Sequence, residues 1–69
     1  MIWISRDEES DKIDMWVGKP SFMGGIYRNS VDVQWIGKFC NEIFARVTNI
    51  KLKKGKLRKV KKIRFEFDE

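Results

Sequence analysis

Apolar residues in this chain come in short alternating runs, and only one stretch repeats them at helical spacing. That pattern confines the fold to a small sheet with one helix, because a period of two belongs to half-buried strands and a period near 3.6 to an amphipathic helix. Met1 to Ser5 opens as a strand, and Ile13, Met15 and Val17 alternate with Asp14 and Trp16 in a second. The wholly polar stretch from Arg6 to Lys12 reads as the loop between them. Pairing Ile4 with Ile13 and Ile2 with Met15 gathers Ile2, Ile4, Ile13, Met15 and Val17 on one buried face, with Trp3 and Trp16 diagonal to each other on the opposite one.

Gly18-Lys19-Pro20-Ser21 closes the second strand, since Pro20 cannot donate to a ladder. Gly24-Gly25 marks a turn, and Ile26-Tyr27 a short strand after it. Trp35, Ile36, Phe39, Cys40, Ile43, Phe44 and Val47 then form a helical stripe, with Ser30 or Asp32 as the N-cap. On that stripe Trp35, Phe39, Cys40 and Phe44 are core residues. Gly37 costs the helix about 1 kcal/mol relative to Ala. The alternation of Val31-Asp32-Val33 leaves a second option open, a strand running to Trp35 before a shorter helix. Val47 to Leu52 alternates again, Lys53-Lys54-Gly55-Lys56 is a turn, and Ile63, Phe65 and Phe67 give a last strand. The expectation is one α+β domain over residues 1–69: a small, mostly antiparallel sheet of an N-terminal and a C-terminal hairpin, packed on one helix. A core so small would gain from a homodimer.

The residue inventory rules out most catalytic designs. The chain has no histidine and one cysteine, which excludes Ser-His-Asp and Cys-His nucleophile arrangements and zinc sites built from His or several Cys. No phosphate-cradling glycine loop occurs. The acidic run Asp7-Glu8-Glu9-Ser10-Asp11 lacks the glycine of a calcium loop and reads as a solvated hairpin loop. The chain is therefore expected to be no enzyme, with no metal and no cofactor. The opening has neither the basic start nor the apolar stretch of a signal peptide, and no run is long enough to span a membrane, so a cytoplasmic protein is expected.

Charge supplies the positive signal. Residues 1–49 carry a net charge of −1 and residues 50–69 a net charge of +6. The basic run is Lys51, Lys53, Lys54, Lys56, Arg58, Lys59, Lys61, Lys62 and Arg64, interleaved with Ile50, Leu52, Leu57, Val60 and Ile63, which anchor it to the fold. Cations this dense call for solvation or an anionic match, and phosphates provide one with counterion release as the driving force. Nucleic acid or an acidic protein is the expected partner. Seven lysines against two arginines suit diffuse contact better than bidentate base reading. Trp3, Trp16 and Tyr27 are the candidate interaction patch, either as stacking partners for bases or as the contact face of a protein–protein modulator that inhibits a host or defence enzyme. The same run also fits plain solvation, because lysine-rich edges deter sheet-to-sheet aggregation.

Ile4-Ser5-Arg6-Asp7, followed by Trp16 and by Lys19-Pro20, resembles the opening of short uncharacterised proteins of phages and prophages of gut bacteria. Ile43-Phe44 and Val47-Thr48 are similar to their middle segment. Their tails are usually acidic, where this one is basic. The resemblance implies a mobile-element accessory protein acting inside a bacterial cell, and it brings no catalytic residues.

Overall fold

The computed structural model describes residues 1–61 and forms an α+β fold. The strands are β1 (Ile2–Ser5), β2 (Lys12–Val17), β3 (Ser21–Met23), β4 (Ile26–Arg28), β5 (Gln34–Cys40) and β6 (Leu57–Val60), and the helix α1 (Asn41–Thr48) lies between β5 and β6. One antiparallel sheet has the strand order β5-β2-β1-β6, and β3 and β4 make a separate hairpin. No helix among the described residues is long and apolar enough to cross a membrane.

The first hairpin forms with a different register from the expected one. Ile4 lies opposite Met15 and Ile2 opposite Val17, so the strands are shifted by two residues. A two-residue shift keeps every side chain on its own face. Ile4 and Ile13 therefore still enter the core, while Trp3 and Trp16 become direct partners. The loop between β1 and β2 closes on Arg6, whose Nε donates to the Ser10 carbonyl at 2.7 Å and whose Nη2 reaches Asp11 at 3.2 Å.

The helical stripe does not begin where the spacing predicts. Residues 34–40 form an edge strand, and α1 starts only after Cys40, so neither Ser30 nor Asp32 is its N-cap. Aromatic and β-branched residues favour a strand there, and Gly37 weakens a helix. β2 has six places for the seven residues of β5, and Ile36 is the extra one, bulged between the Met15–Gly37 and Trp16–Trp35 pairs. The helix ends at Asn49, whose φ of 61° is left-handed and whose N–H donates to the Ala45 carbonyl at 2.7 Å.

Residues 50–52 are not a strand. The partner of β1 is Leu57–Val60, a segment that fits neither period cleanly. Leu52 turns into the core instead, and its carbonyl accepts from Arg6 Nη1 at 2.9 Å. The expected last strand, Ile63 to Phe67, lies outside the described residues, as do Lys62 and Arg64.

Ile4, Ile13 and Leu52 are the fully enclosed centre of the helix side, with Met15, Phe44, Ile50 and Val60 packed around them. α1 touches β5 and β2 but buries no residue completely, and Ile43 and Val47 stay exposed on its outer side. Gly18 joins the sheet to the segment before β5 and admits no other residue, because its φ is 91° and an added Cβ would lie 2.7 Å from the Asp32 carbonyl oxygen. The β3–β4 hairpin turns through Gly24-Gly25, both at positive φ, as tight two-residue turns require. It is held to the body through Tyr27: its N–H donates to Asp7 Oδ1 and its hydroxyl to the Gly55 carbonyl, each at 2.8 Å.

Two outcomes test this packing. Ile13→Ala empties the centre of the helix-side core, and chemical denaturation should show a loss of about 3 kcal/mol. Burial foremost, then the charges of Asp7 and Glu8, raise the pKa of the Tyr27 hydroxyl above its ordinary 10.0. Its folded-state value thus exceeds the unfolded one, so its contribution to stability is present below pH 10.0 and lost as pH rises through the folded value. Ultraviolet titration of this single tyrosine should give a midpoint above that of free tyrosine.

Candidate nucleic-acid interface

Backbone geometry decides where the basic side chains point. Leu52 is buried, so its neighbours Lys51 and Lys53 are turned outward on the opposite side of the chain. The β1–β6 ladder continues past the strands: Arg6 N–H donates to the Lys56 carbonyl at 3.0 Å, and Gly55 N–H to the Arg6 carbonyl at 2.8 Å. A turn follows from this anchorage, with Lys56 N–H donating to the Lys53 carbonyl at 3.2 Å, and it presents Lys53, Lys54 and Lys56 at its rim. Lys51, Lys53, Lys54, Lys56, Arg58, Lys59 and Lys61 are all exposed.

Among the described residues none of these seven cations has a carboxylate partner. The ion pairs present join Arg6 to Asp11 at 3.2 Å and Lys38 to Asp14 at 3.8 Å. Two clefts flank the Lys51–Lys53 stretch. The larger, about 580 Å³, lies between this stretch and α1 and has Ala45 and Leu52 in its wall with Arg46, Lys51 and Lys53 around them. The smaller, about 250 Å³, continues on the other side towards Lys56 and Arg58. Arg46 belongs to this surface although its sequence context gave no sign of it. It lies on a helix that only the fold brings against Lys51.

The aromatic patch is arranged otherwise than its sequence suggests. Lys59, Trp3, Trp16 and Trp35 are successive partners across all four strands and so occupy one row on one face of the sheet. Trp16 is 4% exposed and donates from Nε1 to Ser5 Oγ at 2.8 Å. Trp35 donates from Nε1 to Asp14 Oδ1 at 3.0 Å and is 45% exposed. Trp3 is partly covered, with the Lys19 ammonium 5.5 Å from its ring centre. Tyr27 is buried beside Phe22 in the small hairpin. Of the three aromatic residues singled out, Trp16 and Tyr27 are thus interior, and Trp35 joins Trp3 at the surface of the row. Finding Trp35 required the strand register, because its spacing matched a helix.

The acidic loop lines a cleft of about 350 Å³ with Gly24, Gly25 and Ile26, and Asp7 there is engaged by Tyr27. No group of three or more His, Cys, Asp or Glu among the described residues is placed to hold a metal ion. Cys40 is not a core residue but the N-cap of α1 and is partly exposed. The N–H groups of Ile43, chiefly, and Glu42 favour its thiolate and lower the pKa, although no side-chain hydrogen bond closes the cap.

Comparison with known protein families, curated proteins and solved structures finds no match. The functional reading therefore rests on the geometry above. That geometry makes Cys40 a sensitive reporter of the α1 terminus. Its alkylation rate with iodoacetamide should rise to its plateau at a lower pH than that of a free cysteine, as a rate–pH profile would record.

Proposed function

We propose that this protein is a non-enzymatic binding module that contacts nucleic acid, or an acidic nucleoprotein, through the basic segment from Lys51 to Arg64. The observation that carries the reading is the set of seven exposed cations at 51–61, none with a carboxylate partner among the described residues, of which Lys51, Lys53, Lys56 and Arg58 line two clefts. Leu52, Arg6 and the β1–β6 ladder hold the backbone that carries these cations, so only their side chains need ordering when an anion arrives. Phosphate contacts of this kind gain free energy from counterion release and carry little sequence information. Lysine as the dominant cation agrees with that mode. The role would suit a cytoplasmic accessory protein of a mobile element, the class that its opening resembles.

A second reading, a protein–protein modulator, is favoured by one observation: Trp35 is nearly half exposed at the free edge of the sheet, next in row to Trp16 and Trp3. Exposed tryptophan is a common anchor of protein interfaces.

Fluorescence anisotropy with labelled single- and double-stranded DNA and RNA, over a range of salt, separates the two. The nucleic-acid reading expects binding with a log–log salt slope of about −2 to −4. It also expects a loss of at least about tenfold on reversing charge at Lys53, Lys54 and Lys56, which is about 1.4 kcal/mol. Absence of binding at low salt would overturn it. Salt-tolerant capture of a protein partner, abolished by Trp35→Ala, would establish the second.

A further inference from the structure

The cations of the basic segment are not equivalent, and the larger cleft sets three of the surface's cations apart. Lys51 and Lys53 line it together with Arg46 of α1 and Arg6, and its wall is apolar at Ala45, with the buried Leu52, 3% exposed, behind it. Leu52 is fixed from behind, its side chain in the core and its carbonyl held by Arg6. That wall is therefore part of the folded body. Among the described residues Glu42 supplies the one carboxylate of the cleft. At about 580 Å³ the space lies within the range of small-ligand sites, roughly 300–1,000 Å³. By contrast, Lys54, Lys59 and Lys61 do not line it.

An apolar wall with cations at its rim suits a ligand that is flat and apolar at one end and anionic at the other. Resting on the nucleic-acid reading above, we propose that this cleft is a nucleotide subsite that receives one unpaired base of a single strand. The base lies against Ala45, and its flanking phosphates lie at Arg46, Lys51 and Lys53. Glu42 offers an acceptor to a base amino group, and its charge keeps phosphate to the cationic side of the cleft. A base in a duplex is stacked and paired and cannot enter without being extruded, at a cost of a few kcal/mol. The cleft thus makes the protein a single-strand binder in preference to a duplex binder. The cations outside it add affinity for both.

The test is to fill the cleft without altering charge. Ala45→Phe places a ring where the base would lie, and circular dichroism establishes that the variant keeps its fold. Binding of a short labelled single strand and of a duplex of equal phosphate number is measured by anisotropy at fixed salt. The expected result is that wild type prefers the single strand by about tenfold or more. Ala45→Phe should erase that preference and leave duplex affinity within about twofold of wild type. As a second comparison, Arg46, Lys51 and Lys53 changed together to Gln should weaken single-strand binding more than Lys54, Lys59 and Lys61 changed together to Gln. Both triple variants remove the same charge. Equal losses in the two triple variants, or an Ala45→Phe protein that keeps its preference, would overturn the subsite while leaving a diffuse basic surface intact. A wild type that binds neither strand would instead remove the nucleic-acid reading itself.

Discussion

The buried indole N–H of Trp16 determines the register of the first hairpin. Trp16 and Trp35 occupy one row across the strands; Trp16, 4% exposed, must find its acceptor inside the sheet, and Trp35, 45% exposed, finds one from the outer strand. The acceptors, Ser5 and Asp14, are partners of each other in the adjacent row, and both are buried. Hydrophobic patterning alone does not distinguish this register from one shifted by two residues, because both put the same side chains on the same faces. Shifting β1 against β2 would set Ser5 opposite Lys12 and take the Ser5 hydroxyl away from the Trp16 indole, while the Trp35–Asp14 bond, which joins β5 to β2, would be untouched. A buried donor left without a partner costs about 1–3 kcal/mol, and even one such loss is a large fraction of the stability of a domain this small. Asp14 also forms an ion pair with the Lys38 ammonium at 3.8 Å, which offsets the cost of a carboxylate that is 4% exposed.

Arg6 does for the loops what the Trp16 indole does for the first hairpin. Its guanidinium gathers the Ser10 carbonyl, the Asp11 carboxylate and the Leu52 carbonyl, and its backbone pairs with Gly55 and Lys56. One residue at the end of β1 thereby fixes both the acidic loop and the start of the basic segment. The consequence reaches the surface in a single step. With Leu52 held inward, its neighbours Lys51 and Lys53 are turned outward, away from the core, where both line the same cleft. The folded body thus dictates the position of cations that the sequence presents only as a run.

The sequence disclosed the fold class, the first two strands, the turn at Gly24-Gly25 and the basic segment, because each depends on local spacing or composition. It did not disclose what depends on partners distant in the chain. Residues 34–40 match helical and strand spacing about equally well, and the choice falls to the strand because β2 has a free edge beside them. Leu57 and Val60 fit no period because they lie on opposite faces of a four-residue edge strand whose other positions are charged. Leu52 looks like a strand residue, yet its carbonyl goes to a side chain 46 positions away. Arg46, a helix residue among others in the sequence, becomes part of the basic surface only when α1 is laid beside Lys51.

The distribution of charge between the two edges of the sheet bears on whether the basic segment merely guards against aggregation. A lysine on an exposed strand edge deters pairing with other chains, so a protective role predicts cations where the edge is longest and most apolar. Among the described residues that edge is β5, seven residues with Trp35, Ile36 and Phe39 each more than 40% exposed. Its single cation, Lys38, is turned towards Asp14, and its protection comes from the bulge at Ile36. The cations are instead concentrated at β6, four residues long, and beyond it: Lys51, Lys53, Lys54 and Lys56 lie outside any strand of the sheet. Charges placed away from the vulnerable edge and clustered where they repel one another are poorly explained by solubility. They are well explained by an anion that relieves the repulsion, and the clefts beside Lys51 and Lys53 are where the fold leaves room for it.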